Sequence, residues 1–144
     1  MIDDVMTRVQ PYIGIPFKTA SFNKEEGLDC LTFIIVFMNE ILNKNIPTSI
    51  VPVYDKNWLY DANMVDIYSK GIREYCDIKI YKDASVLRLY DLVFFSYHSD
   101  INKITHAAIY IGKGKIIHSV ENYGVIVQNI AFIKNKILLY GNVR

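Results

Sequence analysis

Three side chains have the types and the spacing that covalent chemistry needs: Cys30 in "GLDCLTFIIVFMNEI", His106 in "ITHAAIYIG" and His118 in "KIIHSV". The 144 residues contain only two cysteines and three histidines, so each placement is informative. A cysteine in the first turn of a helix meets unpaired backbone N–H groups and the positive end of the helix dipole, which favour the thiolate. The same N–H groups can hold an oxyanion, so one place offers a nucleophile and part of its transition-state support. A base is still required, and the histidines are the candidates.

Whether the two imidazoles can cooperate depends on a hairpin register. If the loop between their strands is Gly112 to Gly114, Ile111 faces Lys115 and His106 pairs with Val120. His118 then lies diagonally opposite His106 on the same face, about 7–8 Å away at the backbone. A two- or four-residue loop without a bulge would turn the rings to opposite faces. With the rings on one face, Cys30 attacks, His106 takes and returns the proton, and His118 orients His106. Taken singly, each residue has a plainer reading. A cysteine in an apolar helix is usually a small core residue, and a strand histidine is usually a hydrogen-bonded structural one. Zinc held by Cys30, His106, His118 and Cys76 would lack any C-x-x-C or H-x-x-x-H pair, so no metal and no other cofactor is expected. Cys76 reads as a buried strand residue, His98 as an exposed loop residue, and Asp91 as the fixer of the turn into its strand.

The elements that must position these groups follow from period and punctuation. Met1 to Tyr12 carries Ile2, Val5, Met6 and Val9 on one helical stripe. "PYIGIPFK" breaks that helix, and Asp29 is placed to cap a second one from Cys30 to Asn43. Being apolar all round, this helix belongs in the core. After the turn-rich "NKNIPTSIVPVYDKNW", a helix is expected over Trp58 to Arg73. From Asp77 the period becomes that of strands: "DIKIYK", "DLVFFSYH", "ITHAAIYIG", "KIIHSV", "GVIVQN" and "KILLYGN". Helices first and strands after make an α+β domain with the Cys30 helix on a mostly antiparallel sheet of five or six strands. One domain over 1–144 is expected, helical to about residue 75 and sheet from about 76.

Composition removes several classes of function. The net charge is +1 with both signs interspersed, and no basic run is interleaved with aromatics, so nucleic acid is not an expected partner. The longest apolar run is cut by Asn39 and Glu40, too early for a membrane span. "MIDDVMTRVQ" has acids where a signal peptide begins with bases, so the chain is expected to be cytoplasmic as synthesised.

"GLDCLTF", then "DLVFF", then "HAAIYIGKGKIIHS" together resemble the NlpC-type cysteine peptidases of bacterial cell walls, the papain-like NlpC/p-sixty superfamily. The resemblance runs from about Tyr12 to Gln128, and the spacing from His106 through "IYIGKGKIIH" to His118 is its most specific part. It implies Cys30 as nucleophile, His106 as base and His118 as orienting residue. "YIGIPFK" resembles the family's Gly-x-Pro-Tyr segment, so Phe17 would border the site, and Phe17 and Asp29 are expected to meet substrate. The implied substrate is a peptidoglycan stem peptide, cut near a D-glutamyl linkage through a thioester. Because that substrate lies outside the cytoplasm, the resemblance implies delivery by a phage tail, lysis or secretion assembly, or a cytoplasmic recycling role. Departures from the family pattern are Leu31-Thr32 for Ser-Gly, Tyr90 for glycine, Phe17 for tyrosine, and the absence of a glycine pair after Phe17. The stretch between Cys30 and His106 is also longer than in compact members and is expected to form a wall or lid. Two other readings keep the fold: a thiol acyltransferase or deamidase on lipid or protein, and an inactive structural module.

Overall fold

The computed structural model describes residues 2–96 and 103–143. His98 lies outside the described residues. Helix α1 (Ile2–Val9) runs into a 3₁₀ turn over Gln10–Tyr12, where Pro11 stands. Helix α2 spans Cys30–Ile41. It stops because Asn43 takes a left-handed conformation at φ 56°, a stop signal open to asparagine. Asn39, which interrupts the apolar run, then ties down the exit loop, donating from Nδ2 to Ile46 O and accepting from Ile46 N, each at 2.9 Å.

The single helix expected over Trp58 to Arg73 is broken. Helix α3 covers Lys56–Asp61, and a new turn, α4, begins at Met64–Asp66 and widens into a π turn over Ile67–Gly71. Ala62 is extended, the Asn63 side chain accepts from Asp66 N at 3.1 Å, and Met64 N donates to Ile104 O at 2.9 Å. A cap and a tertiary bond thus outcompete a helical period that fits one continuous helix.

Six strands form one antiparallel sheet in the order β1-β6-β2-β3-β4-β5: β1 Ile78–Tyr81, β2 Leu92–Phe95, β3 His106–Gly112, β4 Lys115–Val120, β5 Gly124–Asn129 and β6 Ile137–Val143. With the helices against it, the architecture is α+β. Alternation divides the sheet. Leu92, Phe94, Ala107, Ile109, Ile117 and Val125 join the main core with Leu31, Ile34, Ile35 and Phe37 of α2. Val93, Phe95, Ala108, Ile116 and Tyr140 form a smaller cluster with Ile133 of the 3₁₀ segment Ile130–Lys136. Cys76 is buried, as expected, but it precedes β1 and bonds back to Ile72 O at 2.9 Å. None of the helices in the described residues is long and apolar enough to cross a membrane.

Candidate active site

Helix α2 places the first member of the trio. The Asp29 carboxylate caps it: Oδ1 accepts from Leu31 N and Thr32 N, both at 2.8 Å, and Thr32 Oγ1 accepts from Asp29 N at 2.9 Å. This reciprocal capping box explains why threonine works at a position where the resemblance leads one to expect glycine. Asp29 Oδ2 accepts from Ala20 N at 2.7 Å and from the Tyr54 hydroxyl at 2.6 Å. The residue, expected to meet substrate, is fully buried, and both oxygens are engaged by the chain's own donors in capping and anchoring bonds. Phe33 N goes to Asp29 O at 3.0 Å, so of the first-turn amides Cys30 N–H is the one Asp29 does not take. The sequence reading offered several amides to an oxyanion; capping reserves most of them.

Gly27 lets the loop before α2 approach the N-terminal segment. It sits at φ 140°, and a Cβ there would fall 2.7 Å from Pro16 O, while Leu28 N donates to that same oxygen at 2.8 Å. Ser119, buried on β4, donates to Leu28 O at 2.6 Å. The mouth of α2 is therefore bonded directly to the strand that carries His118. Ser119 and Tyr54 were invisible to sequence reasoning, because a lone serine or tyrosine carries no spacing signal.

The sheet places the imidazoles. Ile109 faces Ile117 and Tyr110 faces Ile116, the register that sets His106 opposite Val120. The connection is a two-residue turn, Lys113-Gly114, with both residues at positive φ. A bulge between Tyr110 and Gly112 restores the parity that a bare two-residue turn would have lost. His106 and His118 accordingly share the face that carries Phe95, whose ring centroid lies 4.8 Å from His106 and 5.9 Å from His118. His106 Nε2 is 2.8 Å from His118 Nδ1, and His118 Nε2 is 3.0 Å from Gln128 Oε1. An amide oxygen only accepts, so His118 donates from Nε2 and its neutral ring accepts at Nδ1. His106 then donates from Nε2, and its lone pair is on Nδ1. Gln128 extends the relay onto β5. It faces Ile116, two places from the residue opposite His118, a diagonal legible only once β5 is registered.

Cys30 and His106 line one cleft of ≈ 420 Å³, together with Phe17, Leu59, Tyr60, Thr105 and Val120. Phe17 is among the residues that line this cleft, and Leu59 and Tyr60 of α3 form one of its walls. Burial, helped by the neighbouring Asp29 carboxylate, pushes the Cys30 thiol well up. Burial and the adjacent His118 hold His106 well down. Burial brings His118 from 6.5 to about 4, against the pull of Gln128. The thiol and both imidazoles are therefore neutral. The dipole-stabilised thiolate expected from sequence is overridden by desolvation.

The sequence profile of the NlpC/P60 family matches residues 14–139, and the chain belongs to that family, whose members are in general cysteine peptidases or related hydrolases. Solved structures agree on the fold. The NlpC/p60 domain of the peptidoglycan hydrolase SagA superposes with a TM-score of 0.64 at 17% identity, covering 99% of this chain and 98% of that one. An NlpC/P60 family protein from Bacillus cereus gives 0.64 at 20% identity, over 97% of this chain and 39% of that one. NlpC2 from Trichomonas vaginalis gives 0.65 at 16%, over 96% and 45%. The chain thus spans less than half the length of the latter two. No curated protein sequence matches it significantly.

Proposed function

We propose that residues 1–144 work as one domain, a cysteine hydrolase that cuts an amide bond in peptidoglycan peptides, with Cys30 as nucleophile, His106 as base and His118 as its positioning residue. The observation that carries this reading is the 2.8 Å contact of His106 Nε2 with His118 Nδ1 beside a cleft that Cys30 and His106 share. Family membership and the SagA likeness support the substrate class.

In this mechanism substrate binding brings the carbonyl carbon to Sγ. The thiol proton passes to His106 Nδ1 as the S–C bond forms, and Cys30 N–H donates to the developing oxyanion. His106 returns the proton to the leaving nitrogen as the C–N bond breaks, giving a thioester and a free amine. It then takes a proton from water, whose oxygen attacks the thioester. Collapse breaks the C–S bond and releases a carboxylic acid, and His106 returns its proton to Sγ to restore the thiol. His118, held by Gln128, keeps the His106 lone pair on Nδ1. Because the pair starts neutral, proton transfer accompanies attack instead of preceding it.

The test is incubation with purified muropeptides, reading new amine and carboxyl ends by mass spectrometry and trapping the thioester with hydroxylamine. Cleavage by the wild type and none by Cys30→Ala is expected. Equal product from both proteins would refute the role of Cys30. The apolar walls Phe17, Leu59, Tyr60 and Val120 favour a second reading, acyl transfer from a lipid donor. Thioester formation from short acyl esters, with muropeptides left intact, would select it.

A further inference from the structure

Beside the catalytic cleft lies a second, wider and more open one of ≈ 610 Å³, which shares Phe17 and Glu121 with it. Its character differs. Where the catalytic cleft is walled by Leu59, Tyr60 and Val120, this one is lined by Thr19, Lys56, Glu121, Asn122 and Tyr123 along with Phe17. We propose that it is a saccharide subsite, which holds the sugar still attached to the peptide being cut.

Three observations point to a neutral polyhydroxylated ligand. Lys56 and Glu121 form an ion pair across the cleft, so the charges offset each other. An ionic ligand would have to break that pair, whereas hydroxyl and acetamido groups can bond to its outer edges and to Asn122. Tyr123 is 74% exposed, and an aromatic face beside hydrogen-bonding groups suits the apolar C–H face of a pyranose. The turn that carries it is firmly held: Tyr123 N donates to Val120 O at 3.0 Å, and Val125 N to Ile15 O at 2.8 Å, with Gly14 N returning to Val125 O at 2.9 Å. A rigid platform loses little entropy on binding. The volume lies within the range of small-molecule sites, and the shared Phe17 and Glu121 make the two clefts neighbours. One substrate can fill both, with peptide against Cys30 and sugar against Tyr123.

This inference rests on the peptidoglycan reading, so the test separates them. Hydrolysis of a disaccharide-bearing muropeptide is compared with that of the same peptide stripped of sugar, for wild type and Tyr123→Ala. The wild type should favour the sugar-bearing substrate through KM. Tyr123→Ala should reduce that preference about tenfold, the size expected for loss of one stacked ring. In parallel, an N-acetylglucosamine oligomer is titrated into Cys30→Ala and followed by amide NMR. Shifts at Asn122 and Gly124 that vanish in the Cys30→Ala/Tyr123→Ala double variant support the subsite. No preference, no effect of Tyr123→Ala and no oligomer-induced shifts would overturn it. If neither peptide is cleaved yet the oligomer binds at these residues, the subsite stands and the hydrolase reading fails.

Discussion

Asp29 and Asp91 are two buried carboxylates, satisfied in nearly the same way, in regions with different prospects. Asp91 accepts from Arg88 N at 3.1 Å, from the Tyr81 hydroxyl at 2.6 Å and from Asn142 Nδ2 at 3.0 Å. Asp29 accepts from three backbone amides and from the Tyr54 hydroxyl, also at 2.6 Å. Both tyrosines are pushed up by burial and by their carboxylate, and so remain donors. Asp91 immediately precedes β2, toward the far end of β3 from His106, as the pairing of Leu92 with Ile109 and Phe95 with His106 requires. There it pins a corner where Tyr90, at φ 70° in place of the family's glycine, packs its ring 5.6 Å from Phe37. At the Asp29 end the next residue is Cys30. A buried, tyrosine-bonded carboxylate is therefore not in itself the mark of a reactive site; what differs is the neighbouring thiol, which shares a cleft with His106.

The largest expected effect separates the two regions by activity. Cys30→Ala should abolish muropeptide hydrolysis, on the order of 10⁵-fold, while urea unfolding moves by no more than about 1 kcal/mol. Residual turnover in Cys30→Ala that vanishes in the Cys30→Ala/Cys76→Ala double variant would break the comparison. Removing either carboxylate should cost similar stability. Asp29→Ala and Asp91→Ala should each lower unfolding free energy by about 3 kcal/mol, because several donors lose a charged acceptor. Reactivity should tell them apart. Asp29→Asn removes a charge that raises the Cys30 thiol, so its alkylation midpoint should move to lower pH, with that of Asp91→Asn staying put.

The imidazoles give one region a pH signature that the other lacks. A ring lowered from 6.5 to about 4 in the fold binds its proton more readily when unfolded. Its contribution to stability is complete above pH 6.5 and is lost as pH falls toward 4, on the order of 3 kcal/mol for His118. His118→Phe should flatten that part of the stability profile measured by urea unfolding; an unchanged slope would assign it to the carboxylates. The smallest effects come from the hydroxyls. Tyr54→Phe and Tyr81→Phe should each cost about 1 kcal/mol, and only Tyr54→Phe, by leaving Asp29 less neutralised, should raise the Cys30 alkylation midpoint.

Much of this was legible beforehand where the interactions are local. The start of α2 was announced by Asp29 ahead of an apolar run, and a sheet of five or six strands by their period. The shared face of His106 and His118, twelve positions apart, was legible only on condition of a three-residue loop; the hairpin reaches it by a two-residue turn with a bulge. The break at Ala62–Asn63 was not legible, because a side-chain cap and the distant Ile104 carbonyl compete there with a helical period. Gln128, Ser119 and Tyr54 were missed because each acts through a partner remote in sequence.

The sequence by itself determined which groups could react and made the facing of the two imidazoles depend on the hairpin loop; the bulge between Tyr110 and Gly112 then put them on one face. Tertiary structure alone decided their ionisation and their surroundings. Desolvation depends on every element packed around a group: burial leaves Cys30 and His106 neutral, Asp29 claims most of the helix-mouth amides, and α3 closes a wall over the cleft. No order of residues along the chain encodes how much water is left at a sulfur.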